Sequence, residues 1–387
     1  MHKVKLMTVF GTRPEAIKMA PLILELAKHK EFETTVCITA QHRQMLDQVL
    51  DIFKIKVDYD LNIMRKKQTL TDITINSLKG LEDVFIKSQP DLVLVHGDTT
   101  TTFAASLAAF YHKTKVAHVE AGLRTNDKWF PYPEEMNRRL TGSLADMHFS
   151  PTVGAKRNLL NENIDVKKIF VTGNTVIDVL PYTVKKNYHF DTDELNGIDF
   201  ENNRVIVVEA HRRENWGKPL ENICRAIKRL LDRYPDTLVV YPVHLNPVVR
   251  DTVFKMLGGL SRCLLIDPVD IDDMHNLLSR CYMVLTDSGG LQEEAPSLGK
   301  PVLVLRRETE RPEAITAGTV ELAGLEEDDI YDLSSLLLSY PEKYMSMANS
   351  VNPYGDGHAS FRIAGYLLNY FGFSDDMPEE FNPKIKK

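Results

Sequence analysis

The 387-residue sequence predicts an α/β protein of two Rossmann-like, doubly wound domains facing a cleft. Three observations predict it. Short apolar, β-branched runs alternate with longer amphipathic segments along nearly the whole chain, the pattern of parallel sheets covered by helices on both faces. The alternation stops at a polar, acidic stretch, 182–203, and then resumes, so the rhythm occurs twice. Run after run ends in glycine, hydroxyl or ionisable residues, as strands do where an open sheet binds ligands at its carboxyl edge.

Taken in order, Val4–Phe10 is a buried strand that breaks at Gly11-Thr12-Arg13-Pro14 and enters a helix at Glu15, with proline in an early helical position. Lys18 falls one turn into that helix. Thr35–Thr39 is a second strand, followed by Gln41, Gln44 and a helix. After the basic loop Arg65-Lys66-Lys67, Leu70–Ser88 carries helical apolar spacing. Asp91–Val95 ends at His96-Gly97-Asp98 and Thr99–Thr102, and Lys115–Val119 ends at Glu120-Ala121-Gly122-Leu123-Arg124. A proline- and aromatic-rich loop, Trp129–Pro133, delivers Glu134, Glu135, Asn137 and Arg138 to a new helix. Met147–Ser150 and Ile169–Thr172 complete a first domain, 1–181. With 182–203 as a linker, the second domain covers 204–357. Its strands are Arg204–Val208, Thr237–Tyr241, Leu264–Ile266, Tyr282–Leu285 and Val302–Leu305. The turn Asn352–Gly357 leads to a final helix, about 358–371, expected to pack back towards the first domain. The polar tail 374–387 is expected to be loose.

Composition narrows the function. The chain is 43% hydrophobic and 26% charged, as in ordinary globular proteins. Its 47 basic and 54 acidic residues leave a net charge of −7, which excludes a broad phosphate-backbone binder but not a local arginine cluster around one small anion. Cys37, Cys224, Cys263 and Cys281 form no CxxC and have neither zinc-site nor disulfide-framework spacing. Buried, reduced thiols of a cytoplasmic protein are expected. No signal-peptide core and no membrane-length apolar window occurs. Neither nucleic acid nor membrane is expected as a partner.

The most informative stretch is 282–313. A strand stops at Thr286-Asp287-Ser288-Gly289-Gly290, a helical segment with Gln292, Glu293 and Glu294 follows, and a second strand leads to Arg306 and Glu310-Arg311-Pro312-Glu313. A small-residue turn at a helix start lets backbone N–H groups approach an anion. The acids one to two turns on can accept hydrogen bonds from sugar hydroxyls. The stretch therefore reads as a half-site for a phosphorylated sugar or nucleotide. Arg13, His96, Asp98, Glu120, Arg124, His211–Glu214 and His244 stand at other strand ends. Singly, each has a structural explanation, Asp98 as a helix cap and Arg212 and Arg213 as solvated charges. Their coincidence at strand ends in both halves points to catalysis or anion binding. No GxGxxG follows a strand, and no Walker A, GxSxG or HExxH sequence is present. Carboxylates, a histidine and arginines remain, the equipment of proton transfer and leaving-group stabilisation.

GTRPEAIKMAPL (11–22), TAQHRQMLD (39–47), VHGDTTTT (95–102), HVEAGLRT (118–125), PEEMNR (133–138), TGNTVID (172–178), AHRREN (210–215), YPVHLNP (241–247), DSGGLQEEAPSLGKPVL (287–303), TERPEA (309–314) and NPYGDG (352–357) together resemble, in order, the bacterial non-hydrolysing UDP-N-acetylglucosamine 2-epimerase family. The resemblance runs from the first strand to the final helix. It implies a glycosyltransferase-B-like fold, a homodimer, and interconversion of UDP-GlcNAc and UDP-ManNAc without metal or nicotinamide. The implied mechanism is anti elimination of UDP through a 2-acetamidoglucal, then re-addition, supplying ManNAc for cell-surface polysaccharide.

By motif, the resemblance implies that Asp98, Glu120, Glu134 and His211 are catalytic. Arg13, Ser288, Gly289 and Gly290 match diphosphate contacts, Glu294 the ribose ligand, Arg311 a further substrate contact and Lys18 an active-site cation. A second, activating UDP-GlcNAc site would draw on Gln41, Gln44, Lys67, Glu134, Arg212 and His244. Three departures stand out: Lys67 replaces an arginine, Glu209 a threonine, and Arg307-Glu308 an Asp-Thr pair. Other readings on the same architecture are a hydrolysing epimerase that releases UDP and ManNAc, a UDP-sugar transferase, and a non-catalytic UDP-sugar sensor. The intact set of acids and the second-site residues favour the non-hydrolysing epimerase.

Overall fold

Strands apolar on both faces must be covered on both, and the chain solves this twice. The computed structural model describes residues 3–40, 43–65, 68–309 and 311–383, and the side chains of all of these except 43–45. Two compact units result, one of Met1–Val179 with Tyr354–Asn382 and one of Leu180–Pro353. The first holds a 7-stranded parallel sheet of β1 (Val4–Phe10), β2 (Phe32–Ile38), β3 (Tyr59–Asp60), β4 (Leu92–His96), β5 (Lys115–Val119), β6 (Met147–Ser150) and β7 (Ile169–Val171), in the order β3-β2-β1-β4-β5-β6-β7. The second holds a 6-stranded sheet of β8 (Arg204–Glu209), β9 (Thr237–Pro242), β10 (Cys263–Ile266), β11 (Met283–Thr286), β12 (Val302–Val304) and β13 (Val320–Leu322), in the order β10-β9-β8-β11-β12-β13. The strand order reverses beside β1 and β4 in one sheet and beside β8 and β11 in the other. Such switch points open a crevice at the carboxyl ends of the strands.

The packing follows from residue size. In the first unit Met7, Val9, Val93 and Val95 meet Ala105, Ala108 and Ala109 of the helix Thr100–Tyr111, whose small side chains also admit Leu81 and Phe85 of the helix Leu70–Ser88. In the second, Ile206, Val208, Val239, Tyr241, Leu285 and Leu303 meet Ile223, Ile227 and Leu230 of the helix Lys218–Arg233. Each fully buried aliphatic chain contributes about 1.5–3 kcal/mol. All four cysteines are buried and free, and burial pushes their thiols up to about 12. Among the described residues, no helix is long and apolar enough to cross a membrane.

Three details differ from the sequence expectation. The edge strands β3 and β13 were not foreseen, because Tyr-Asp and Val-Glu-Leu offer no apolar run. The stretch 182–203, expected as a linker, is fastened inside the second unit: Phe190 and Leu195 are buried, and Asp273 accepts hydrogen bonds from the N–H of Asp191 (3.0 Å) and Thr192 (2.9 Å). The tail, expected to be loose, is docked on the first unit as far as Asn382. Phe381 is buried and its N–H reaches the Val171 carbonyl at 2.8 Å, while Lys156 pairs with Glu380 at 2.6 Å. The helix Ala359–Tyr370 belongs to the first unit and packs on the helix Arg13–Leu26.

His118 and His148 face each other in register on β5 and β6, and both are buried. Neither ring nitrogen of His148 has a hydrogen-bond partner among the described residues. Burial holds His96 and His118 down to about 4 and His148 down to about 3. In the unfolded chain each protonates near ~6.5, so the unfolded state binds more protons below that pH. The stability these groups contribute is complete above ~6.5 and is lost as pH falls towards 4 and below. The urea midpoint should therefore drop steadily from pH 6.5 to 4. His148→Phe should make that drop shallower while changing stability at pH 7.5 by less than about 1.5 kcal/mol. An unchanged pH profile in this variant would assign the acid sensitivity elsewhere.

Candidate active site

At the switch point of the first unit, the loop after β1 is built around one buried acid. Glu15 accepts from the N–H of Gly11 (3.1 Å) and Thr12 (2.8 Å) and from the hydroxyls of Thr12 and Thr99, both at 2.7 Å. It thereby ties the loop carrying Arg13 to the loop that follows Asp98. Burial pushes its carboxyl up against these hydrogen bonds. Thr99 caps the helix Thr100–Tyr111 through the N–H of Thr102 at 3.1 Å.

Glu120 follows β5 in the left-handed region, at φ +63°, which costs a non-glycine residue on the order of 1–3 kcal/mol. Its carboxylate is closely held: Lys18 pairs with Oε2, Asn174 Nδ2 donates to the same oxygen at 2.8 Å, and His96 Nε2 lies 4.0 Å away. Gly122, at φ +92°, lets this turn pass the helix Val153–Asn161, because a Cβ there would fall on the Ala155 carbonyl. Asp98 receives Arg138 Nε (2.9 Å) and Nη2 (2.6 Å) on Oδ2, and its carbonyl accepts from Asn137 Nδ2 at 2.9 Å. Glu134 is the first residue of the helix Glu134–Leu144, and its Oε2 is buried without a hydrogen-bond partner among the described residues.

In the second unit the organising group is Asp287, which is fully buried. Its Oδ2 accepts from the N–H of His211 (2.9 Å), the N–H of Arg212 (2.9 Å) and Asn215 Nδ2 (2.8 Å). The loop after β8 is thus clamped to the turn after β11. The His211 ring stacks on His244 with centroids 5.1 Å apart, and its Nδ1 lies 3.7 Å from Asp287 Oδ1 and 3.8 Å from Glu209 Oε1. Burial lowers the His211 imidazole; Asp287 opposes this, while His244 and Arg212 reinforce it. Gly289 sits between two guanidiniums, since a Cβ there would meet Arg311 Nη2 at 3.7 Å and Arg212 Nη2 at 3.9 Å. Arg311 also pairs with Glu293, and Thr309 links its backbone to Gln292. Glu294 receives His275 Nε2 at 3.2 Å, whose other nitrogen meets the Thr183 hydroxyl at 2.7 Å.

The sequence-predicted residues are therefore divided between the two units. Arg13, Lys18, Asp98, Glu120 and Glu134 belong to the first, with Lys18 and Glu120 in direct contact. His211, Arg212, His244, Ser288, Gly289, Gly290, Glu294 and Arg311 belong to the second. Gln41 and Lys67 lie outside the described residues, as does the Gln44 side chain. Arg212 stands at the same turn as Ser288–Gly290. Of the departures, Arg307 and Glu308 are exposed, whereas Glu209 lies inside the group. Sequence reasoning gave no role to Glu15, Asn174, Asp287 or His275; the first three lie within recognised motifs, but nothing in a motif tells which polar groups are buried against each other. Among the described residues, no group of three His, Cys, Asp or Glu side chains could hold a metal ion.

Removing the Asp287 carboxylate strands three N–H donors. Asp287→Ala should therefore cost the second unit at least about 2 kcal/mol by urea denaturation, and Asp287→Asn, which keeps an accepting oxygen, distinctly less. Equal stability of the alanine variant and the wild type would remove Asp287 from this role.

The family model for UDP-N-acetylglucosamine 2-epimerase matches residues 24–368. The UDP-N-acetylglucosamine 2-epimerase of Bacillus subtilis is 56% identical over 384 residues, covering 99% of this chain and 100% of that protein. The Escherichia coli K12 enzyme of the same name is 52% identical over 374 residues, covering 95% and 99%. Among solved structures, the Neisseria meningitidis UDP-GlcNAc 2-epimerase bound to UDP-GlcNAc superposes with a TM-score of 0.85 at 53% identity, covering 95% of this chain and 100% of that one. A match of this extent on both fold and sequence leaves one assignment, and the chain belongs to the UDP-N-acetylglucosamine 2-epimerase family.

Proposed function

We propose that the protein interconverts UDP-GlcNAc and UDP-ManNAc by the non-hydrolysing route. The supporting observation is the closely held carboxylate of Glu120 on its left-handed backbone, with Lys18, Asn174 and His96 around it and Asp98 oriented by Arg138 at the neighbouring strand end. Such a set can take a proton from a weak carbon acid and return one. The proton at C2 passes to a carboxylate, the C2–H pair becomes the C1=C2 bond of 2-acetamidoglucal, and the C1–O pair leaves with the β-phosphate. UDP then re-adds at C1 while C2 receives a proton on its other face. Asp98, Glu120, Glu134 and His211 are the proposed catalytic group, with Lys18 as the cation beside it.

UDP itself is proposed to sit on Arg13 and on Ser288-Gly289-Gly290, with Arg212 and Arg311 neutralising charge near Gly289 and Glu294 taking the ribose. The Neisseria relative bound to UDP-GlcNAc supports this substrate. An activating UDP-GlcNAc site involving Gln41, Gln44, Lys67, Glu134, Arg212 and His244 belongs to the same proposal, as does a homodimer. Four buried free thiols suit the cytoplasm, where ManNAc would be supplied for a surface polysaccharide.

Incubation with UDP-GlcNAc in heavy water, followed by NMR, should show deuterium entering C2 of both epimers with no acceptor present and no build-up of free ManNAc. Steady release of UDP and ManNAc would instead identify a hydrolysing enzyme, and an absence of exchange would favour a transferase. Asp98→Asn should retain UDP affinity but lose ~10²–10⁴-fold in turnover; near-normal turnover would show that another group moves the proton.

A further inference from the structure

The structure puts Glu209 in the middle of the second unit's group. It ends β8 in register with Thr286 of β11, so its side chain rises at the same strand-end edge as Ser288-Gly289-Gly290. Its carboxyl group hydrogen-bonds the Ser288 side chain, and its Oε1 lies 3.8 Å from His211 Nδ1. The charged and titratable groups around it come from every neighbouring loop. Asp287 and Glu294 add negative charge from the β11 turn and the helix after it. His211, with His244 stacked on it, adds imidazole, and Arg212 and Arg311 hold their guanidiniums by Gly289.

Three carboxyl groups thus crowd a turn proposed to receive a diphosphate, and they are not equally provided for. Asp287 Oδ2 already accepts from three N–H donors, and Glu294 takes His275. Glu209 has the Ser288 hydroxyl and an imidazole beyond hydrogen-bond range. An arriving diphosphate adds like charge next to it, and binding a proton relieves that repulsion most cheaply at the least-supported acid.

We propose that Glu209 is a proton-binding residue of the nucleotide site, taking up one proton from solvent when a nucleoside diphosphate occupies the Ser288–Gly290 turn and releasing it when the diphosphate leaves. The proposal rests on the reading of that turn as the diphosphate site. Its electrostatics agree: burial pushes the Glu209 carboxyl up to about 7, Asp287 and Glu294 push the same way, and the Ser288 hydrogen bond opposes them. The empty site is then largely ionised above neutral pH, and a bound anion shifts it further towards the acid form. Nucleotide affinity falls as pH rises through this range.

The test is calorimetric titration of the full-length protein with UDP, in phosphate and in Tris buffers, between pH 6.5 and 8.5. The buffer dependence of the heat counts the protons taken up. Wild type should take up a sizeable fraction of a proton, and its Kd should weaken by up to about tenfold per pH unit above the Glu209 midpoint. Glu209→Gln and Glu209→Thr should both lose that uptake and hold Kd nearly constant, apart from the change due to the phosphate of UDP. Equal uptake and equal pH slopes in all three proteins would overturn the inference while leaving the UDP site intact. No UDP binding by wild type at any pH would overturn the diphosphate reading and this inference with it.

Discussion

One hydrogen-bonding device recurs through the molecule: a buried carboxyl group that accepts from the N–H groups of two consecutive residues in a loop or at a helix start. Glu15 does this for Gly11 and Thr12, Glu135 for Thr125 and Asn126, Asp178 for Ala359 and Ser360, Asp273 for Asp191 and Thr192, and Asp287 for His211 and Arg212. At Glu15, Glu135 and Asp287 the parallel sheets make such a device necessary. Every strand leaves the sheet at a carboxyl end where the chain must turn, and turning removes backbone N–H groups from the ladder. Where water is excluded, a side chain has to receive them. A carboxylate does so with the strength of a charge-assisted bond and fixes two peptide planes at once.

The device also explains how ionisable groups are positioned without flexible supports. Arg13 follows the loop held by Glu15, and His211 and Arg212 lie on the loop held by Asp287. Glu135 holds the residues after Arg124 and contacts Arg138, which in turn orients Asp98. Arg13, Asp98, His211 and Arg212 are thus each one step removed from a buried acid with a structural role. Glu120 is held differently. Its backbone is strained into position, and its own carboxylate takes the contacts from Lys18 and Asn174.

Much of the architecture was legible beforehand because it depends on periodicity. β1, β5 and β6 have the bounds that their apolar runs predict, as does the helix Leu70–Ser88, whose Thr69–Asp72 capping box marks its start. β3 and β13 were illegible because Tyr-Asp and Val-Glu-Leu offer no apolar run, unlike Ile-Phe-Val of the equally short β7. The stretch 182–203 misled because its polar composition hides Phe190 and Leu195, which do the anchoring. In the site, the ionisable residues at strand ends could be read from the chain, since topology alone brings strand ends together. Which acids serve the backbone and which are available to a ligand could not: Glu134 and Glu135 are adjacent in sequence, yet one presents an oxygen with no partner among the described residues and the other is consumed by loop N–H groups.

The helix Ala359–Tyr370 lies far along the chain from the helix Arg13–Leu26 that it covers, and Asp178 clasps its first residues at 3.0 and 2.5 Å. The first unit is therefore not a stretch of sequence that a ribosome can finish before starting on the second. Its sheet can form early, but the part of the Arg13–Leu26 helix that this last helix covers waits until some 170 residues of the other unit have been made. Exposed apolar surface of this kind is what makes partly made chains prone to aggregate.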